Sequence, residues 1–186
     1  QTGIEITGEA EPFIRTVEDS LWSCMSAPWM SIGYEVKLSP LQLLNFYNSV
    51  ANGGKMMRPR LVSEIRDGTK LVERYEPEVL RSRIASGKTI ARAQYLLEEV
   101  VQEGTASSLQ TPLYSFAGKT GTAVINYSTD ESRKRYQASF VGYFPAENPV
   151  YSCIVVVRDP RKNGYYGGSV AGPVFREIAD KCFLSK

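Results

Sequence analysis

Ser115-Phe116-Ala117-Gly118-Lys119-Thr120-Gly121-Thr122-Ala123-Val124-Ile125 decides how the rest of this chain is read. The run reads as a β-strand, yet it carries polar groups that a purely structural strand would not select. Thr120 and Thr122 are two residues apart, so on an extended backbone they share one face. Lys119 starts on the other face. Gly118 and Gly121 leave no side chains in the way of its long stem, so the ammonium can bend over the strand edge. Gly121 also lets another backbone or a ligand come close. One ammonium, two hydroxyls and the edge N–H groups would then surround a small volume. That set suits a substrate with a carboxylate and a carbonyl: cation and hydroxyls hold the carboxylate, and edge N–H groups stabilise a developing oxyanion. A Lys-Thr-Gly tripeptide alone also fits an ordinary Gly-rich edge strand with a solvated lysine, so the remaining sequence has to decide.

The 186 residues suffice for one domain with a real core, and 42% hydrophobic with 23% charged residues is the balance of a globular protein. The formal net charge is +2 and the basic residues are scattered, which gives no electrostatic case for nucleic acid. The absence of histidine excludes a Ser-His-Asp or Cys-His mechanism within the chain, and any His-ligated metal site. A catalytic base would have to be Lys, Asp, Glu or Tyr. Cys24, Cys153 and Cys182 are too widely spaced for a metal or redox motif, so neither metal nor cofactor is expected. Cys153 and Cys182 read as buried thiols in a strand and a helix. No apolar run reaches the roughly 20 residues of a membrane span. Gln1 opens no signal peptide, and the first residues look like mid-protein sequence.

Around the decisive strand the pattern alternates helices and strands. Gln1 to Ser31 reads as irregular, with Trp22 and Trp29 burying the loop. Ser39 is an N-cap candidate and Pro40 suits a first helical position. Leu41, Leu44, Tyr47 (or Asn48) and Ala51 then follow at helical spacing, and Leu43, Phe46 and Val50 widen the apolar face until Gly53-Gly54, which predicts a deeply buried helix. Asp67-Gly68 between Arg60–Arg66 and Lys70–Tyr75 signals a hairpin. Glu76 to Ser86 reads as a linker. A second helix spans about Lys88 to Glu103, with Ile90, Ala93, Leu97, Val100 and Val101 on its apolar face. Asn126 to Gln137 reads as an exposed loop that could gate a substrate. Ala138–Phe144 and Tyr151–Arg158 are strands. Short connections make them an antiparallel meander with the Lys-Thr-Gly strand, and the run Ile154-Val155-Val156-Val157 predicts burial on both faces. Ala171 to Phe183 closes the chain as a helix on that sheet. The fold class is therefore α+β, an antiparallel sheet covered by helices.

Several segments together carry a family resemblance. Lys119-Thr120-Gly121-Thr122 matches the Lys-Thr-Gly element of the penicillin-binding proteins and serine β-lactamases. Thr2-Gly3-Ile4-Glu5-Ile6, Ser31-Ile32-Gly33-Tyr34 with Leu38-Ser39-Pro40-Leu41-Gln42, and Gly104-Thr105-Ala106 resemble the class B penicillin-binding proteins. So do Ala138-Ser139-Phe140-Val141-Gly142-Tyr143-Phe144-Pro145 and Tyr166-Gly167-Gly168 with Ala171-Gly172-Pro173-Val174-Phe175, all in family order. The resemblance covers essentially the whole chain. It is closest to the cell-division type of D,D-transpeptidase, which cross-links peptidoglycan and serves cell-wall synthesis, division and shape.

The family places a nucleophilic serine three residues before a lysine, then a Ser-x-Asn element, then Lys-Thr-Gly. No serine here has a lysine three positions on: Ser31 leads to Tyr34, Ser82 to Ala85 and Ser132 to Arg135. Residues 1–186 are therefore expected to be the C-terminal part of a transpeptidase domain, without the part that holds the nucleophile and inactive alone. The resemblance implies that Lys119 organises the proton relay and attracts the substrate carboxylate. It implies that Thr120, Gly121 and Thr122 bind the substrate, and that the Thr122 N–H forms half of an oxyanion hole. Implied partners are the D-Ala-D-Ala end of a stem peptide, β-lactam antibiotics, and other division and wall-synthesis proteins. The implied place is the periplasmic side of a bacterial inner membrane, with an anchoring helix outside this chain. The family's sheet has two further strands beside Tyr151–Arg158; without them that strand's edge would invite self-association.

Three alternatives stay open on the residues. A D,D-carboxypeptidase or β-lactamase-like hydrolase shares the motif. A non-catalytic binding module would lack the missing motifs by nature. Nucleotide binding is raised by Gly87-Lys88-Thr89 ahead of a helix, but a P-loop needs glycine where Ser82 stands, and Leu113 fails the same test for Gly118-Lys119-Thr120.

Overall fold

A computed structural model describes residues 1–126, 134–162 and 164–185. Short strands β1 (Phe13–Ile14) and β2 (Val36–Lys37) pair with each other and enclose helix α1 (Ser26–Ser31). Helix α2 (Pro40–Ala51) follows, then β3 (Met56–Met57), the hairpin β4 (Glu64–Asp67) and β5 (Lys70–Arg74), and β6 (Val79–Arg81), which returns to pair with β3. Helix α3 (Gly87–Gln102) leads through a 3₁₀ turn at Ser107–Leu109 into β7 (Ala117–Asn126), β8 (Arg135–Phe144) and β9 (Tyr151–Arg158). Helix α4 (Gly167–Leu184) ends the chain.

Local chemistry accounts for the helix starts. Ser39 and Gln42 form a reciprocal capping box: Gln42 N–H donates to Ser39 Oγ at 3.2 Å and Ser39 N–H to Gln42 Oε1 at 2.9 Å. Pro40 occupies the first turn, where no N–H is needed. At α3 the Thr89 N–H donates to Ser86 Oγ at 3.1 Å.

The expected meander is present: β7, β8 and β9 form an antiparallel sheet in that order. Register puts Thr120 beside Phe140 and Thr122 beside Ala138 on one face, and Lys119 beside Val141 on the other. Helix α4 covers the first face. Its Phe175 is fully buried, with ring centroids 4.6 Å from Phe140, 5.6 Å from Phe116 and 5.8 Å from Phe144. Helix α2 packs against β8 and β9, and α3 against β7, its Val101 joining the buried cluster of Phe116, Phe140 and Phe175. Asn48 accepts from Ser152 Oγ at 3.1 Å, and burial, helped by Glu98, pushes the Tyr143 hydroxyl up to about 12. Arg176 donates to Asp180, Leu109 O and Gln110 O, and the Tyr114 hydroxyl donates to Asp180 at 2.7 Å. This network ties the α3–β7 connection to α4.

Several expectations need correction. Helix α2 is half-buried rather than deep: only Asn45, Ser49 and Val50 are buried, and Phe46 is 48% exposed, because one side of the helix faces solvent. Strand β9 is half-buried along Ser152–Val157, since β8 takes the central, buried position. Glu76–Ser86 is not a plain linker but contributes β6. Residues 1–31 contain β1 and α1, and Trp29 is exposed, touching Tyr34 edge-on at 5.0 Å, while Trp22 is half-buried. Strand pairing extends the Asn126–Gln137 segment inward at both ends, to Asn126 and from Arg135. Its middle, 127–133, and the gating expectation placed there lie outside the described residues.

Candidate functional site

Strand β7 is an edge strand among the described residues, pairing only with β8. Lys119 and Thr122 are exposed, and Thr120 and Gly121 half-buried, so solvent reaches all four. Lys119 does bend back over the edge: its Nζ donates to the Thr120 carbonyl at 2.9 Å. Among the described residues no carboxylate lies within ion-pair distance of that ammonium.

The two hydroxyls share a face as the two-residue spacing requires, and each meets a partner from elsewhere in the chain. Thr120 Oγ1 lies 2.8 Å from Thr105 Oγ1, in the loop after α3. Thr122 Oγ1 accepts from the Gly167 N–H at 3.1 Å, at the start of α4. That approach needs glycine. A Cβ on Gly167 would stand 2.3 Å from Ser139 O and 2.6 Å from Gly121 O; one on Gly168 would stand 2.8 Å from Thr105 O. The start of α4, the Thr105 loop and β7 are therefore in backbone contact. Beside them Tyr136, whose register partner is Val124, stacks on Tyr165 at 4.1 Å, and Tyr165 lies 4.5 Å from Tyr166. Tyr166 directly precedes Gly167, whose N–H meets Thr122.

The structure thus gathers every site residue named from sequence, Lys119, Thr120, Gly121 and Thr122, on one strand edge. Sequence reasoning missed Thr105, Gly167 and the tyrosines as neighbours of that edge. A signal existed in Gly167-Gly168, two glycines opening a helix, which mark close approach. Among the described residues no three His, Cys, Asp or Glu side chains gather as a metal ligand set. A cavity of about 310 Å³ between Glu5, Arg58 and the β4–β5 hairpin contains none of the edge groups. Chemically the edge offers an incoming anion several donors, an ammonium, hydroxyls and main-chain N–H groups, beside main-chain carbonyls such as that of Thr120, which Lys119 occupies.

An antiparallel sheet clothed by helices, with a Lys-Thr-Gly-Thr strand on its open edge, is an α+β arrangement of the transpeptidase type. The family model for the penicillin-binding protein transpeptidase domain matches residues 1–180, and the chain belongs to that family, in its class B branch. It is 29% identical, over its whole length, to peptidoglycan D,D-transpeptidase FtsI of Buchnera aphidicola, of which it covers 31%. It is 32% identical to penicillin-binding protein 2A of Bacillus subtilis, over 84% of this chain and 23% of that protein. Among solved structures, penicillin-binding protein 3 of Mycobacterium tuberculosis complexed with ampicillin superposes with a TM-score of 0.82 at 28% identity, over 100% of this chain and 42% of that one. The apo transpeptidase domain of penicillin-binding protein 3 from Burkholderia pseudomallei gives 0.71 at 31%, over 89% and 47%. The chain spans about a third of the curated relative it matches over its full length.

Proposed function

We propose that this chain is the substrate-gripping part of a D,D-transpeptidase domain that cross-links peptidoglycan stem peptides on the extracytoplasmic side of a bacterial membrane. The carrying observation is the open edge of β7, where the exposed Lys119 turns its ammonium back to the Thr120 carbonyl and the Thr120 and Thr122 hydroxyls share one face of the strand. In this reading the ammonium and hydroxyls hold the terminal carboxylate of D-Ala-D-Ala, or that of a β-lactam. The Thr120 carbonyl is reached by Lys119 from the open side. Main-chain groups two residues apart share a side of a strand, which supports an outward Thr122 N–H as half of an oxyanion hole.

The nucleophile comes from outside residues 1–186. Its serine hydroxyl attacks the penultimate D-Ala carbonyl, the C–N bond to the last D-Ala breaks, and D-Ala leaves with the proton. An amine of a second stem peptide then displaces the serine. Lys119 lends positive charge to that relay. Membership of the family, together with the ampicillin complex of a structural neighbour, supports β-lactams as ligands. Other wall-synthesis proteins would be partners of the complete protein. No helix among the described residues is long and apolar enough to cross a membrane.

Fluorescent penicillin tests the reading. The chain alone should take no covalent label, and the same chain joined to the nucleophile-bearing part of its domain should. Label on the isolated chain would overturn its passive role; none on the complete domain would overturn the transpeptidase reading.

A further inference from the structure

A hydroxyl that grips a carboxylate has to keep its single proton for that ligand, because an ionised carboxylate only accepts. Its remaining capacity is two acceptor sites. For Thr122 the choice is made by the backbone: the Gly167 N–H can only donate, so Thr122 Oγ1 accepts, and its proton is left to point elsewhere. Thr120 faces a different partner. Thr105 Oγ1 lies 2.8 Å away, and either hydroxyl can be the donor. If Thr120 donates to Thr105, no proton is left for a ligand. If Thr105 donates to Thr120, the Thr120 proton is available to the cleft.

We propose that Thr105 is a positioning residue, which donates to Thr120 Oγ1 and so aims the Thr120 proton at the ligand carboxylate. The inference rests on the carboxylate-gripping reading above and extends it to a residue outside the Lys-Thr-Gly strand. An anion at the edge selects the useful arrangement, and the chain Thr105 O–H to Thr120 O–H to carboxylate polarises each link. The loop that carries Thr105 is held for this task. Its carbonyl lies so close to Gly168 that a Cβ there would come within 2.8 Å, and Arg176 grips the following turn through Leu109 O and Gln110 O. Helix α4 thus clamps both hydroxyl partners against β7, one by its first N–H and one through the loop.

The alternative is a hydroxyl pair that merely staples the loop to the strand. Such a staple is indifferent to ligand charge, and that difference is measurable. The assay is acylation of the complete domain by benzylpenicillin and by its neutral carboxamide, resolved into a binding constant K and an acylation rate constant k2. Thr105→Val should lower k2/K for the carboxylate about tenfold, the scale of one weakened charge-assisted hydrogen bond. The loss should fall in K, and the carboxamide should lose less than about threefold, since a neutral amide gains little from charge assistance. Thr105→Ser, which keeps the donor, should restore most of the loss. Equal loss for both ligands, or none, would overturn the proposal. Thr120→Val separates the two levels. If it leaves carboxylate acylation unchanged, the carboxylate grip itself is wrong; if it lowers acylation while Thr105→Val does not, only the role of Thr105 is wrong.

Discussion

Gly167→Ala should push the start of α4 off the seam between β7 and β8. The new Cβ would stand 2.3 Å from Ser139 O and 2.6 Å from Gly121 O. Both are main-chain atoms of the sheet, so neither can swing aside as a flexible side chain would. A carbon beside a carbonyl oxygen needs about 3.3 Å, so the first turn of the helix must retreat by about 1 Å. That retreat breaks the 3.1 Å bond from the Gly167 N–H to Thr122 Oγ1. Overpacking costs about 1–3 kcal/mol and the lost hydrogen bond about 1 kcal/mol. For a chain of this length each kcal/mol is worth about 2–4 °C in melting temperature, which places the drop near 10 °C. Gly87→Ala is the control: a Cβ there meets nothing within 4 Å, and helix propensity favours alanine, so stability should hold or rise slightly. Urea and thermal unfolding followed by far-ultraviolet circular dichroism would report both. A Gly167→Ala protein that melts within about 2 °C of the parent would refute the close-approach argument, by the same conversion.

Three further outcomes are expected. Phe175→Ala removes a fully buried ring that touches Phe116, Phe140 and Phe144, and should cost about 3–5 kcal/mol in urea unfolding; a cost below about 1 kcal/mol would show that α4 is not the main cover of the sheet. Burial works to raise the Asp180 carboxyl, but the Arg176 and Tyr114 hydrogen bonds outweigh it and hold the group below its ordinary value. Its stabilisation is therefore complete above the ordinary carboxylate range and is lost as pH falls through the lowered value. Asp180→Asn should lower the melting temperature at neutral pH and flatten its decline in acid; parallel melting curves across pH would count against the network. Strand β9 pairs with β8 alone among the described residues, so the chain should self-associate through that edge, and a monomer by light scattering at high concentration would dismiss the idea.

Much of the architecture was legible because it follows local rules. The Ser39-Pro40 start of α2, the Asp67-Gly68 hairpin and the bounds of β9 depend on a few neighbouring residues, and each was placed from sequence. The misreadings share one cause. An apolar run does not by itself report depth: Phe46 on α2 and the valines of β9 are only as buried as their neighbours in space make them. Likewise Val79–Arg81 has no strand pattern of its own and is extended because Met56–Met57 offers it a partner.

For the proposed site, the sequence settles which side chains share a face, Thr120 with Thr122 and Lys119 opposite, since alternation along one strand decides it. What those hydroxyls touch it does not settle. Thr105 meets Thr120 across 15 positions and Gly167 meets Thr122 across 45. Such contacts exist only once α4 has folded back over the sheet on Phe175 and two glycines have let the backbones close, which no periodicity or spacing along the chain encodes.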